Sequence, residues 1–353
     1  MEKKQKENVI KAYKGFDNKL QCRGFQYEVG KKYEMNGKIS CCRNGFHACQ
    51  SPLEVLDYYF LLTDGKMARF CEVEQAGTID EENDGSTKIA SSKIKINREL
   101  TLSELIRLGI EWLEENTNKI TDTYLSDDGE NQKKIGSSGY SVQITSSGNY
   151  VKIGSNGDNA KIGSSGAYAK IGSSGNYAKI GSSGSYAHIA SSGDVTKMDS
   201  IGDCAKIGSN GDNAKIGSSG YNAKIGSSGN YAKIASSGDN SKIGSSGNDT
   251  KIASNGDDAY VVSSGDYVHI GSSGNNSMIV STGDDSLICC TGRNSIAKAK
   301  KGSWITLTEW KWVKDEKKSR WVPKCVKTEY VDGERIKSDT LYKLIDGEFK
   351  EVE

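Results

Sequence analysis

Few residues in this chain have the types and spacing needed for chemistry. Cys41, Cys42, His47 and Cys49 fall close together. Sulfur and imidazole are zinc ligands, but this is not a standard zinc spacing. Adjacent Cys41 and Cys42 would also point to opposite sides of a strand. Buried thiols beside a structural histidine are the preferred reading, and no metal or other cofactor is expected. The nine cysteines are odd in number and lack framework spacing, which predicts reduced thiols in a cytoplasmic protein. The three histidines, His47, His188 and His269, are scattered, and no Ser-His-Asp arrangement is visible.

Lysine at fixed spacing offers a different chemistry. Lys152, Lys161, Lys170, Lys179, Lys206, Lys215, Lys224 and Lys233 recur at one position of a nine-residue repeat. Such rows could bind phosphates, which makes nucleic acid a possible partner. They could equally be solvated groups that block sheet-to-sheet aggregation. Charge divides along the repeat. Residues 135–233 hold nine Lys and five Asp, net +4, and residues 234–296 hold two Lys, one Arg and seven Asp, net −4. The whole chain carries only +1, so no global field draws it to nucleic acid or membrane. In the acidic part Tyr260, Met278 and Leu287 replace lysine, near Asp257, Asp258, Asp284 and Asp285. Outward apolar residues among carboxylates predict a protein interface over 257–296. A protein partner is favoured, because no aromatic-basic pattern for reading bases accompanies the lysines.

The repeat that would position these groups spans 135–296, eighteen copies without insertion or deletion. Its fifth residue is always Gly, its first is Ile except at Met198 and Val261, and its third is Ser except at Cys290. Small residue, Lys, Ile, Gly, Ser alternates with period 2, so each unit predicts one short strand with Ile and Ser inward and Lys outward. The invariant Gly is expected where a turn needs positive φ. One unit cannot bury a face alone, so successive coils must stack as a parallel β-solenoid. Two units per coil give a two-sided β-roll, and three give a triangular β-helix. The two-sided form is favoured because it alone stacks Tyr150, Tyr168 and Tyr186 in one ladder. Its core would be thin, leaving backbone ladders and Ser hydroxyls to carry much of the order. Calcium is not expected, since calcium-binding nonapeptide rolls place carboxylates regularly and Asp fills the sixth position in only eight copies.

The flanks predict an N-terminal α+β domain over 1–125, a linker over 126–134 and a small antiparallel β module over 303–353. The module would cap the open end of the solenoid. Strands are expected at 9–16, 26–33, 68–73 and 89–96. Capping boxes at Ser51-Pro52-Leu53-Glu54 and Thr101-Leu102-Ser103-Glu104 predict two helix starts. Asp332-Gly333 and Asp346-Gly347 are hairpin signals. In 303–313, Trp304, Thr306, Thr308, Trp310 and Trp312 would share one face. The polar opening Met1-Glu2-Lys3-Lys4-Gln5-Lys6 predicts no signal peptide, and no run is apolar enough to span a membrane.

Three stretches carry a resemblance: Lys14-Gly15-Phe16-Asp17, Cys22-Arg23-Gly24-Phe25-Gln26-Tyr27-Glu28-Val29-Gly30, and Gly45-Phe46-His47-Ala48-Cys49. With the Ser-Ser-Gly repeats behind them, they resemble an uncharacterised family found largely in phages and prophages. That likeness implies a phage-type origin. A non-enzymatic interaction protein would there be a virion-associated part or an antagonist of a host defence complex that targets nucleic acid. The order Cys22-Arg23-Gly24, Gly45-Phe46-His47, Tyr58-Tyr59, Cys71-Glu72-Val73-Glu74 is also similar to ADP-ribosyltransferase-like folds. That second likeness implies Arg23 on dinucleotide phosphates and Glu72 or Glu74 on the nicotinamide ribose. Cys22 stands where that family has Tyr or His, and the Ser-Thr-Ser element is missing.

Overall fold

The computed structural model describes residues 9–59, 68–81, 86–115, 124–126, 129–314 and 319–353. The polar opening of the chain and residues 127–128 of the expected linker lie outside them.

Lys-Ile-Gly-Ser is the strand of the repeat, as in Lys152–Ser155 and Lys170–Ser173. Lys152 pairs in parallel with Lys170, and Ile153 with Ile171. The pairing step is two repeats, so the roll has two sides. The tyrosine ladder is present, with ring centroids of Tyr150, Tyr168 and Tyr186 4.7 and 4.9 Å apart and the rings stacked. Strands alternate between two parallel sheets, one holding Lys152–Ser155 and the other Lys161–Ser164. The second sheet also takes in Tyr124–Ser126, which pairs with Gln143–Ser146. The roll therefore begins ahead of the first repeat.

The isoleucines are buried between the sheets, as at Ile153 and Ile171. The serines beside them contribute less than expected. Where the eighth residue is Ala, hydroxyls such as Ser155 Oγ, Ser173 Oγ and Ser209 Oγ have no hydrogen-bond partner among the described residues. Where it is Ser or Thr, two hydroxyls meet in several units, such as Ser191 and Thr196 at 3.1 Å and Ser236 and Ser241 at 2.7 Å, although Ser272 Oγ, with Ser277 in its unit, has no partner among the described residues. Stacking is carried by the main chain, for example Lys170 N–H to Val151 O at 2.8 Å.

The invariant glycine has a different purpose from the one its sequence context suggests. Positive φ occurs two residues later, at Tyr168 (59°), Tyr177 (58°) and Asn213 (58°). The glycine is needed because the coils touch there. A Cβ on Gly175 would lie 2.1 Å from Gly157 O, and one on Gly229 2.0 Å from Gly211 O. The next residue ties the same corner. Asn176 N–H donates to Asp158 Oδ1 at 2.7 Å, and Asp194 N–H to Asn176 Oδ1 at 2.8 Å.

At the far end Trp304–Lys314 extends one sheet in parallel, then pairs antiparallel with Ser319–Tyr330. The second strand thus pairs backwards, not across Asp332-Gly333. Asp332 Oδ1 instead accepts from Glu334 N (2.8 Å) and Ile336 N (3.0 Å), a local turn. The Asp346-Gly347 signal does make a hairpin, joining Tyr342–Ile345 to Glu348–Glu351, with φ of 53° and 74°. Tyr342–Ile345 lies antiparallel to Ile296–Lys298. Both parallel sheets therefore end in antiparallel hairpins, and Ile305, Leu307, Val331 and Tyr342 close the core. Trp304 and Trp312 are exposed, whereas Trp310 Nε1 donates to Thr291 O at 2.8 Å.

In the N-terminal domain Lys88–Leu100 pairs with both Phe46–Cys49 and Arg69–Glu81. Ile10–Phe16 joins those two strands on the other side, closing a ring around Phe16, Val73 and Ile94. The strand expected over 26–33 is two short pieces, Phe25–Gln26 and Lys32–Glu34, with Gly30 at φ 85° between them. Thr101 caps helix Leu102–Glu115 as expected, exchanging bonds with Glu104 at 2.9 and 3.2 Å. Ser51 makes no side-chain cap. It leads into a turn of 3-10 helix, Pro52–Glu54, and then the short helix Val55–Tyr58. Glu54 is committed elsewhere.

Candidate functional site

The two faces of the roll differ because one is occupied by the chain itself. Helix Leu102–Glu115 lies on the face formed by Lys134–Ser137, Lys152–Ser155 and Lys170–Ser173. The second residue of each repeat points out here, and glycine keeps the floor flat. The Cβ position of Gly154 is 3.0 Å from Leu113 Cδ1, and that of Gly172 is 3.3 Å from Leu53 Cδ1. Leu53, Leu56, Ile110 and Leu113 bury themselves on this floor together with Ala190.

The lysines beside the floor hold the domain. Glu54, almost fully buried, accepts from Thr87 N (2.6 Å) and Thr87 Oγ1 (2.7 Å) and forms an ion pair with Lys152. Lys170 pairs with Asp57, and His188 Nδ1 stands 2.8 Å from Asp57 Oδ1. Lys206 Nζ donates to Asp57 O (2.9 Å) and Leu56 O (3.3 Å) at the end of the short helix. Lys134 Nζ sits 4.9 Å from the Trp112 ring centroid. The expected phosphate-binding row is therefore wrong for Lys152, Lys170 and Lys206, whose charges serve the junction.

Burial would raise the Asp57 carboxyl, but the His188 and Lys170 groups beside it outweigh burial and hold it at about 2. A depressed carboxyl contributes its full stabilisation above its ordinary value of 3.8 and loses it as pH falls towards about 2. We expect the domain to loosen from the roll in that window, seen as a rise in radius of gyration by small-angle scattering. Asp57→Asn should remove that pH dependence. A radius that stays flat through the window in the wild-type protein would show that Asp57 does not hold the junction.

Among the described residues no element covers the opposite face. Lys161, Lys179, Lys215 and Lys233 stand on it in one row with Lys197 and Lys251. Lys224 belongs to the docked sheet, two strands past His188. Along the open row runs a trough of about 620 Å³. Its floor is Gly217, Ala235, Ala253 and Gly271, its wall Lys215, Lys233 and Lys251, and its ends Asp199 and Leu287 with Cys289.

The interface expected over 257–296 is not one patch. Tyr260 pairs with Met278 in the docked sheet, whereas Leu287 pairs with His269 in the open one. Asp257 and Asp284 occupy different corner ladders. Asp257 Oδ1 accepts from Asn275 N (2.7 Å), and Asp284 N–H donates to Asp266 Oδ1 (2.8 Å). Asp258 and Asp285 are left-handed corner residues, with φ of 56° and 51°. The alternation of successive repeats between the two sheets separates what the linear sequence groups.

The N-terminal domain holds a second concavity, about 550 Å³, lined in part by Arg23, His47, Tyr58 and Tyr59. Glu72 and Glu74 are not among its lining residues. Glu72 faces Lys11 (3.2 Å) and Arg98 (3.7 Å), and Glu74 faces Lys95 (3.6 Å) and Asn97 Nδ2 (3.2 Å). The Arg and Glu that the transferase likeness would unite are thus kept apart. Cys42, His47 and Cys49 line the cavity, but Cys41 does not. Among the described residues no three His, Cys, Asp or Glu side chains come together as a metal site would need. Lys14, which sequence reasoning did not single out, forms the cavity floor. The close fit of Gly15 against Tyr59, 2.5 Å from an added Cβ, places it there.

Residues 10–108 match a family model described as a domain of unknown function (DUF7666). No curated protein and no solved structure matches the chain. Among the described residues no helix is long and apolar enough to cross a membrane.

Proposed function

We propose that the protein is a non-enzymatic interaction protein, a rigid β-roll that carries its N-terminal domain on one face and offers the other to an acidic, extended segment of a protein partner. The trough beside Lys215, Lys233 and Lys251 carries this reading. Its ammonium groups recur once per strand, about 4.8 Å apart, on a scaffold that gives up little conformational entropy when a partner binds. No Phe, Tyr or Trp lines it, whereas non-specific binding of single-stranded nucleic acid relies on aromatic stacking. The small-residue floor and the Leu287 end suit a peptide.

The test is fluorescence anisotropy with the full chain and a labelled Glu-rich peptide bearing an apolar terminus. Lys215→Glu, Lys233→Glu and Lys251→Glu together should weaken binding by roughly tenfold or more, and added salt should weaken the wild-type complex. Lys224→Glu with Lys242→Glu, on the docked sheet, should leave binding unchanged. The reading is overturned by undiminished binding of the triple variant, or by tighter binding of a single-stranded oligonucleotide than of the peptide.

A further inference from the structure

The concavity in the N-terminal domain has a charge pattern of its own, independent of the roll. Lys14, Arg23, Arg43 and Lys88 line it, and among the described residues no carboxylate does. Lys14 is the unusual member. It is only 5 % exposed, its Nζ donates to His47 O at 2.9 Å, and it lies 3.4 Å from Cys22 Sγ. Burial pushes its pKa down. Desolvation makes the charged form of this amine costly, and a bound anion would offset that cost. Lys14 Nζ also lies 5.3 Å from the Phe16 ring centroid and 5.7 Å from that of Tyr27.

Two further observations point to an occupant. His47 Nε2 is buried and has no hydrogen-bond partner among the described residues, although His47 lines the same cavity. Buried polar atoms are ordinarily satisfied, so an orphan at a cavity wall is a place for a ligand atom. Arg23 (φ 50°) and Gly24 (φ 78°) form the two-residue turn of the hairpin that pairs Cys22 with Phe25, and this turn brings Arg23 to the cavity wall. Phe25 and Tyr58 also line the concavity while remaining about half exposed. Exposed rings beside a cationic floor can sandwich a planar group.

We propose that this cavity binds a small phosphorylated molecule bearing a planar ring, a ligand of the nucleotide class, with the phosphate over Lys14, Arg23 and Arg43 and the ring against Phe25 and Tyr58. About 550 Å³ falls within the usual range for small-molecule sites.

Isothermal titration calorimetry on the full chain tests this with four probes: a panel of ribonucleoside monophosphates, the parent nucleosides, inorganic phosphate, and a phosphorylated sugar lacking a planar ring. At least one nucleotide should bind, and tenfold or more tighter than its nucleoside, inorganic phosphate or the sugar phosphate. Arg23→Ala and Arg43→Ala, at exposed or half-exposed positions, should each weaken it by roughly tenfold with an unchanged circular dichroism spectrum. Phe25→Ser should weaken the nucleotide but not inorganic phosphate. The proposal fails if no nucleotide titrates at millimolar concentration, if inorganic phosphate binds as tightly as the nucleotides, or if both arginine variants bind like wild type.

Discussion

Replacing Glu54 with Ala releases the N-terminal domain from the roll. The Glu54 side chain is 2 % exposed and Lys152 12 %. Removing the carboxylate therefore leaves a desolvated ammonium with no counter-charge. Breaking a buried pair from one side costs about 3–5 kcal/mol. The same carboxylate also accepts from Thr87 N and Thr87 Oγ1, so a main-chain donor is orphaned at the same time. Against this stands the apolar contact of Leu53, Ile110 and Leu113 with the glycine floor. Asp57 still meets Lys170 and His188 beside that contact, and we expect the two together to be outweighed by the unmatched Lys152. Calorimetry should show one transition for the intact protein and two for the variant, with the N-terminal domain melting first. Glu54→Ala with Lys152→Met should recover the part of the loss that comes from the unmatched ammonium, and not the part that comes from the orphaned Thr87 donors. A single transition at the wild-type temperature in Glu54→Ala would mean that packing, not the ion pair, fixes the junction.

The junction also explains which parts of the molecule were legible beforehand. Period 2 within the unit and the eighteen-residue tyrosine spacing are local facts, and both survive in the fold: Lys152 pairs with Lys170, and Tyr150 stacks on Tyr168. The Thr101 capping box is equally local. What failed depended on contacts between distant residues. Ser51-Pro52-Leu53-Glu54 reads as a capping box because nothing in those four residues shows that Glu54 is drawn to Lys152, 98 positions away. Lys152 and Lys161 look alike in the sequence, yet one is buried in an ion pair and the other stands on the open face. Tyr260, Met278 and Leu287 are close in the chain, but each single repeat step crosses to the other sheet. The Asp332-Gly333 signal failed because Ser319–Tyr330 had already found its partner in Trp304–Lys314.

The invariant glycine was legible as a constraint but not in its cause, and the cause sets the size of the effect when it is changed. Gly229→Ala places a Cβ 2.0 Å from Gly211 O and 2.5 Å from Gly211 C, both main-chain atoms of the coil beneath. No rotamer change relieves a clash with backbone. The coils must part at that corner, straining bonds that cross it, such as Asn213 N–H to Asn230 O at 2.8 Å. Overpacking a well-filled site costs about 1–3 kcal/mol, and a clash with fixed main chain belongs at or above the upper end. Because each coil contacts only its neighbours, the defect should divide the roll into two weakly coupled halves. Gly181→Ala is the matched control. Nothing lies within 4 Å of its Cβ position, and Ala190, Ala235 and Ala253 already occupy the equivalent place. That substitution should change stability by no more than about 0.5 kcal/mol. Thermal unfolding of the two variants side by side decides the matter. Equal melting temperatures would mean that the corners are plastic and that stacking distance does not explain why all eighteen repeats keep glycine.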